Sequence, residues 1–268
     1  MTNSQTALGS MLREWRSRRR MSQLDLALEA GISQRHLSFV ESGRSAPSRQ
    51  MVLTLAEHLS VPLRQRNRLL MAAGYAPTFS ERDVTDPTLR PAMEAVETVL
   101  KGHEPNPAIA VDRHWNMVAA NSAIAPFLEG VRDQTLLAPP VNVLRLSLHP
   151  NGVAPRIANL AEWRAHVLER LHKLNETVAD PELTKLEEEL AAYPGDGRKS
   201  FRHAGADAIA VPFCLKAGEM LLTFITTITV FGTPLDVTLS ELAIESFFPA
   251  DGETARFLRE AAAARERR

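Results

Sequence analysis

The sequence has a single cysteine, Cys214, which lies in the apolar stretch VPFCL. One cysteine cannot form an intramolecular disulfide, and this setting favours a small buried side chain over a reactive thiol. The longest apolar runs fall well short of the ~18 residues of a membrane-spanning helix, and the N-terminus shows no signal-peptide pattern. We therefore expect a cytoplasmic protein that is neither secreted nor membrane-spanning.

The sequence also lacks the motifs of the common enzyme classes. It contains no glycine-rich phosphate loop, no HExxH and no pair of cysteines at metal-binding spacing. His166 and His172 are six residues apart, so on a helix they face different directions and cannot share a metal ion. We expect no catalytic residue, no metal site and no enzymatic activity.

Lysine is absent from the first 76 residues, which contain eleven arginines and five acidic residues and so carry a net charge of +6. The remaining residues carry 20 basic and 27 acidic side chains, a net charge of −7. A basic module joined to an acidic one is typical of a polyanion-binding domain attached to a domain with another role, although solvated arginines on helices give the same count. The length of 268 residues indicates about two domains.

The N-terminal region shows the pattern of short amphipathic helices with serine N-caps and glycine ends. The predicted helices cover residues 8–20, 22–31, 33–43, 48–62 and 63–73. The second and third helices meet across a tight turn at Gly31, and Ser33 caps the third. This spacing leaves the start of the third helix projecting, which is the geometry that enters a DNA major groove.

The stretch MSQLDLALEAGISQRHLSFVESGRSAPSRQMVLTLAEHLSV resembles the XRE-type helix-turn-helix of phage Cro and CI repressors. The resemblance covers all five helices and rests on residues that stand where the motif expects them: Gln23, Ala27, Gly31, Leu37, Glu41, Gly43 and Pro47. It implies an all-α, five-helix, lambda repressor-like DNA-binding domain over residues 1–76. A five-helix bundle that binds another protein is the alternative.

The resemblance places five candidate base-reading residues on the third helix. Gln34 and Arg35 lie in its first turn, where glutamine can pair with adenine and arginine with guanine through two hydrogen bonds each. His36 and Ser38 project beside them. Phe39 either touches a thymine methyl group or packs within the domain.

The resemblance also implies three DNA phosphate contacts and one structural ion pair. Gln23 opens the second helix, Arg44 follows the third, and Arg49 begins the fourth, where it contacts a phosphate or the minor groove. Arg16 and Glu41 stand where this family often buries an ion pair between the first and third helices. Loss of either partner would leave a partly buried charge uncompensated.

The stretch YAPTFSERDVTDPTLRP contains three prolines and no helical period, which predicts a linker over residues 77–90. We assign residues 91–260 to a second domain and residues 261–268 to a charged C-terminal tail. The second domain is predicted to begin with a helix over 93–100 and a hairpin with strands over 108–111 and 115–120. Helices over 122–128, 160–174 and 181–193 follow. The last predicted elements are the strands AIAVPFCL, MLLTFITTITVFG and LDVTLSELAIESFF, of which the last two join across residues 232–234. This order predicts an α+β domain with helices on one face of an antiparallel sheet.

The segments VDRHWNMVAANSA, NVLRLSLHP and TVFGTPLDVTLSELAIESFFPAD resemble the ligand-binding domain of MmyB-like XRE regulators, which has a PAS-like fold. The resemblance covers about residues 91–258. In that family the domain is thought to accommodate small apolar molecules, including fatty-acid-like ones. The resemblance therefore implies a small apolar effector and no other cofactor.

Several residues of the second domain are candidate ligand contacts. Seven apolar residues could line a cavity, although their spacing also suits an ordinary core: Trp115, Phe127, Leu144, Leu148, Trp163, Phe213 and Phe224. Arg145 and His149, four residues apart on a short helix, share a face and form a candidate carboxylate anchor, with Arg156 and Arg164 as competitors. Asn121 either caps the following helix or lines the pocket.

Together these patterns predict a homodimeric, nucleoid-associated transcription regulator that reads an inverted-repeat operator and responds to a small effector. In the alternative, the second domain serves only dimerisation or contact with another protein. A cavity of about 300 Å³ or more with a converging polar group would favour the effector.

Overall fold

The computed structural model describes residues 3–194, 211–231 and 236–267. The chain divides into two compact units. The first consists of Met1–Arg82 with two short segments from later in the chain, Glu176–Ala179 and Pro234–Ser240, and the second consists of Asp83–Asn175, Asp180–Thr233 and Glu241–Arg268. The division after Arg82 falls within the segment predicted as a linker.

Five helices precede the linker, and the predicted all-α fold of this region is confirmed. They are α1 (Asn3–Arg18), α2 (Gln23–Glu29), α3 (Gln34–Glu41), α4 (Arg49–His58) and α5 (Leu63–Ala72). The hydroxyl groups of Ser22, Ser33 and Ser48 accept backbone N–H groups at the starts of α2, α3 and α4. Gly31 and Gly43 have φ values of +65° and +71°, the left-handed conformation in which glycine ends a helix.

The core of the first unit forms where the apolar stripe of α1 packs against α2 to α5. Leu8 and Leu12 of α1 and Leu37 of α3 are at most 1% exposed, and burial of such a side chain contributes about 1.5–3 kcal/mol. A Cβ at Gly9 would collide with the backbone oxygen of Glu41. Glycine therefore lets α1 cross close to the end of α3, which fixes the position of Glu41.

The second unit contains a five-stranded antiparallel sheet, and the predicted α+β fold is confirmed. Its strands are β1 (Ala108–Val111), β2 (Met117–Ala120), β3 (Phe213–Ala217), β4 (Met220–Val230) and β5 (Ala243–Pro249), in the order β2-β1-β5-β4-β3. The remaining helices of the described chain are α6 (Arg90–Gly102), α7 (Ala125–Leu128), α8 (Val143–Leu148), α9 (Leu160–Val178), α10 (Pro181–Ala192), α11 (Val237–Ser240) and α12 (Gly252–Glu266).

Helices cover both faces of the sheet at β1, so the prediction of helices on one face was wrong. All four residues of β1 are buried. Val96 and Leu100 of α6 pack with Ala108, Ala110 and Ile244, whereas the alternate residues of β1 face the other way. A strand that is apolar at every position, as AIAV is, fits a strand that is covered on both faces.

The last predicted strand, LDVTLSELAIESFF, was wrong in its first half. Residues 237–240 form α11, and β5 begins at Ala243. The carboxylate of Asp236 accepts the backbone N–H groups of Thr238 and Leu239. These local hydrogen bonds start a helical turn despite the β-branched residues. Residue 235 and the predicted junction over 232–234 lie outside the described residues.

Two other differences concern where strands begin, and a third is a helix that was not predicted. The second hairpin strand begins at Met117, not at residue 115, because Trp115 has a φ of +66° and belongs to the turn. Strand β3 begins at Phe213, and residues 208–210 of the predicted strand AIAVPFCL lie outside the described chain. Helix α12 was not predicted. It begins at the N-cap Asp251 and runs into the segment assigned to the C-terminal tail.

Candidate DNA interface and ligand pocket

The start of α3 presents polar side chains to solvent. Gln34 and Arg35 are exposed, and His36 and Ser38 are half-buried beside them. On the opposite face, Leu37 and Val40 are at most 1% exposed and anchor the helix in the core. The helix therefore offers a fixed row of hydrogen-bonding side chains of the kind that reads base edges in a major groove.

Phe39 lies close to two arginines of this surface. The guanidinium carbons of Arg35 and Arg44 are 5.4 Å and 6.0 Å from the centre of its half-buried ring. Both distances are within reach of a cation–π contact. The ring thus contacts one predicted base-reading residue, Arg35, and one predicted phosphate contact, Arg44.

The predicted phosphate contacts have different surroundings. The side-chain amide of Gln23 donates a hydrogen bond of 2.8 Å to Glu41 and is engaged within the domain. Arg49 donates to the hydroxyl of Thr78 at 2.8 Å. Arg44 is exposed beside Phe39. Of the three, Arg44 has the surroundings of a side chain that turns outward to a phosphate.

Arg16 and Glu41 form a two-pronged ion pair between α1 and α3. Arg16 Nε and Nη2 lie 2.7 Å and 3.0 Å from the two carboxylate oxygens, and Nη1 donates to the backbone oxygen of Met21 at 2.8 Å. Burial acts to raise the pKa of Glu41, but hydrogen bonds from Arg16 and Gln23 and the charges of Arg16 and Arg13 outweigh it and hold that pKa below its ordinary value. The carboxylate therefore stays ionised in a fully buried position.

The second unit contains a largely apolar cavity between the sheet and helices α7, α8 and α9. Its empty volume, including the part open to solvent, is about 600 Å³. The lining residues are Ile109, Met117, Ile124, Phe127, Leu128, Val143, Leu144, Leu146, Ser147, Val153, Trp163, Arg170, Phe213, Glu245 and Phe247. A concave site with a mostly apolar lining and few polar groups has the character of small-molecule sites.

Four of the ten predicted ligand contacts line this cavity: Phe127, Leu144, Trp163 and Phe213. The other six are not among its lining residues: Trp115, Asn121, Leu148, Phe224, Arg145 and His149. The ring centres of Phe224 and Phe127 are 5.2 Å apart, so Phe224 packs against a residue that lines the cavity. As ligand contacts, all ten residues stay predictions.

The predicted polar anchors have other partners in the structure. Arg145 makes two hydrogen bonds to Glu189, of 2.7 Å and 2.6 Å, and the ring of His149 packs edge-on against Tyr193. Arg156 and Arg164 donate to backbone oxygens, for example those of residues 126 and 193. These arginines therefore fasten loops and helices of the unit.

The side chain of Asn121 also binds backbone groups. Its oxygen accepts from the N–H of Ala108, and its amide donates to the oxygens of Leu100 and Asn106. It makes no side-chain hydrogen bond as the cap of the following helix. The residue joins α6 to the β1–β2 hairpin.

A charged pair that lines the cavity, Arg170 with Glu245, was not predicted from the sequence. Arg170 Nη1 donates to Glu245 Oε1 at 3.1 Å, and the side chains are 19% and 4% exposed. Arg170 follows Trp163 and Val167 at i+7 and i+3 and so lies in the buried stripe of α9. A charged residue within an apolar helical stripe was the signal available in the sequence.

Trp115 packs against this arginine. The guanidinium carbon of Arg170 lies 4.4 Å from the centre of the indole ring. Nε and Nη2 of Arg170 and Nε1 of Trp115 are buried and have no hydrogen-bond partner in the described chain. Buried donors without partners are rare in folded proteins, so this cluster calls for a specific explanation.

Two further features are absent from the described residues. No group of three or more histidine, cysteine, aspartate or glutamate side chains could hold a metal ion there. Over the same residues, no helix has the length and apolar character to cross a membrane.

Family models match both parts of the chain. A model described as the MmyB-like transcription regulator ligand binding domain matches residues 92–261, and a helix-turn-helix model matches residues 12–65. No curated protein matches the chain.

Two crystal structures of the clp gene regulator ClgR from Corynebacterium glutamicum are similar to part of the chain. One is 24% identical, and the match covers 28% of this chain and 92% of that one, with a TM-score of 0.24. The other is 23% identical, and the match covers 39% of this chain and 97% of that one, also with a TM-score of 0.24.

Proposed function

Because the chain belongs to the MmyB-like transcription regulators, DNA-binding helix-turn-helix proteins with a ligand-binding domain, we propose that it binds an inverted-repeat operator as a homodimer and that a small apolar effector modulates this binding. The exposed first turn of α3, with Gln34 and Arg35 above a buried apolar face, supports the DNA-reading role. In this proposal the protein acts in the cytoplasm, at the nucleoid, as a regulator and not as an enzyme.

The homodimer follows from the small reach of one recognition helix. A single α3 contacts only a few base pairs, whereas a two-fold dimer reads two half-sites about one helical turn apart. An apolar patch of Leu221, Ile225 and Phe248, each more than 40% exposed, lies on the sheet face away from the cavity, and Ile225 is directly opposite Phe248. Such a patch supports a contact between two copies.

Selection of bound sequences from random DNA, followed by footprinting, tests this proposal. We expect an inverted repeat with two protected half-sites, and sedimentation of the complex should give two chains per operator. Ile225→Glu should weaken the dimer and lower operator affinity. A footprint over one half-site with one bound chain would contradict the homodimer.

The cavity carries the effector part of the proposal. Its apolar lining and the arginine–glutamate pair within it suit a small, fatty-acid-like molecule. A domain used only for dimerisation or protein contact has no need of such a space. An effector alters operator affinity only if it binds the DNA-competent and DNA-incompetent states unequally, with couplings of about 1–3 kcal/mol.

Native mass spectrometry of the protein purified from its host tests the effector directly. We expect a retained small molecule, whose removal and return change operator affinity by roughly 5- to 150-fold. Phe127→Trp, which fills the cavity, should abolish retention and leave a fixed operator affinity. Failure of any apolar molecule to bind would favour the role in dimerisation or protein contact alone.

A further inference from the structure

A charged side chain that lines the cavity has hydrogen-bond donors without acceptors in the described chain. Arg170 lines the cavity, and its Nε–H and Nη2–H groups have no partner in the described chain. These two groups lie on one edge of the guanidinium plane and point in the same direction, so they form a fork for one or two acceptor oxygens. The third corner, Nη1, is already bound to Glu245.

The guanidinium group of Arg170 packs against the indole ring of Trp115. Trp115 adopts a φ of +66°, a left-handed conformation that a bulky side chain rarely takes. The turn is fixed because the Asp112 carboxylate accepts the N–H groups of His114 and Asn116, while the N–H of Trp115 donates to the Asp112 backbone oxygen. The turn thus places the indole ring 4.4 Å from the guanidinium carbon of Arg170.

The charge of the cavity decides what kind of acceptor fits. The carboxylate of Glu245 is almost fully buried and already balances Arg170. A ligand carboxylate would add a second buried anion without a second cation, which is costly in an apolar cavity. His166, one turn before Arg170 on α9, does not supply that cation, because burial and then the charge of Arg170 lower its pKa.

We infer that the effector carries an uncharged acceptor head group, such as an amide, ester or lactone carbonyl, which accepts hydrogen bonds from Arg170 Nε and Nη2 while its apolar part fills the cavity. The inference rests on the proposed effector function and narrows its ligand class. An uncharged carbonyl satisfies the free donors and leaves the balance between Arg170 and Glu245 undisturbed.

Binding of three probes with the same chain to the full-length, lipid-stripped protein tests the inference. The probes are dodecanamide, methyl dodecanoate and dodecanoic acid, measured by calorimetry at neutral pH. We expect the amide and the ester to bind about tenfold more tightly than the acid, a difference of roughly 1.4 kcal/mol. Equal affinity for all three, or preference for the acid, would overturn the head-group inference but leave the effector function standing.

Glu245→Gln sharpens the test because it removes the balancing charge and keeps the shape. The site then carries one net positive charge, and the preference should reverse in favour of the acid. The matched control is Glu189→Gln, which alters another arginine–glutamate pair of this unit, outside the cavity lining. It should leave the preference unchanged. A preference for the uncharged probes that persists in Glu245→Gln would contradict the charge argument.

The double variant Arg170→Gln with Glu245→Gln covers the case in which Glu245→Gln fails to fold. It contains no buried charge, and we expect weak binding of all three probes with no preference among them. If it keeps the wild-type preference, Arg170 does not hold the head group. If no probe binds the wild-type protein, the proposed acyl effector fails, and the head-group inference fails with it.

Discussion

Among the described residues, each unit has an arginine–glutamate pair whose carboxylate is at most 4% exposed, Arg16–Glu41 and Arg170–Glu245. The two pairs differ in how many hydrogen bonds they make. Arg16 donates from Nε, Nη1 and Nη2, and its partner Glu41 also accepts from Gln23. Arg170 donates from Nη1 alone. The first pair has the bonding of a structural ion pair, and the second leaves two arginine donors without a partner in the described chain.

The surroundings explain this difference. In the first pair, the backbone oxygen of Met21, just before α2, accepts from Arg16, and the side-chain amide of Gln23 in α2 donates to Glu41. Around Arg170, the cavity residues other than Glu245 and Ser147 are apolar and offer no side-chain oxygen as an acceptor. A guanidinium group makes all its hydrogen bonds where carbonyl or carboxylate oxygens surround it, and it keeps donors without partners where its neighbours are apolar side chains.

The largest effect should come from breaking the satisfied pair. Glu41→Ala leaves the Arg16 charge with no carboxylate and frees the Gln23 amide, so we expect a loss of about 3–5 kcal/mol in the stability of the first unit. Hydrogen exchange of α1 and α3 under increasing urea measures this loss. The control Glu14→Ala removes an exposed partner of Arg18 and should cost no more than about 0.5 kcal/mol. Equal losses in the two variants would mean that the buried pair is not structural.

Replacement of both members of each pair should separate the two kinds of site. Arg16→Met with Glu41→Gln leaves the Met21 oxygen without its donor, and we expect a loss of about 2 kcal/mol. Arg170→Met with Glu245→Gln should change stability by less than about 1 kcal/mol, because that pair is already poorly bonded. Urea denaturation of both double variants, without ligand, checks the difference. A larger loss in the second unit would reverse our assignment of the two roles.

Arginines at the surface of the first unit should affect DNA binding and leave stability unchanged. Arg35→Ala should cost roughly 1–3 kcal/mol in operator affinity and relax the preference at one base pair. Arg44→Ala should weaken binding to all sequences alike and reduce its dependence on salt. Affinities for the operator and for single-base variants, over a range of salt, distinguish these outcomes. A uniform loss in both variants would contradict the division into base-reading and phosphate-binding residues.

The smallest effect concerns pH. The folded-state pKa of Glu41 lies below its ordinary value of 4.5, so ionised Glu41 stabilises the fold above pH 4.5. This contribution is lost as the pH falls through the lowered value. Stability of the first unit, followed from about pH 6 to about pH 3, should therefore fall more steeply in the wild type than in Glu41→Gln. Parallel curves would show that Glu41 does not drive the acid dependence.

Local signals in the sequence predicted most of the first unit. Ser22, Ser33 and Ser48 cap their helices through residues three positions away, and Gly31 and Gly43 end them through their own φ angles. Such interactions need no distant partner. The same local reasoning was weaker in the second unit, where spacing on α8 suggested Arg145 with His149 as an anchor, while the fold pairs Arg145 with Glu189 on α10.

The sequence by itself determined the two-part organisation, the five N-terminal helices and the exposed first turn of α3, because caps, glycine turns and apolar periodicity act over a few residues. Tertiary structure alone decided the bonding of the two buried pairs. Glu245 lies 75 positions after Arg170, and only the packing of α9 against β5 brings them together. The sequence does not show which donors of Arg170 lack an acceptor, because this depends on every group that packs around the side chain.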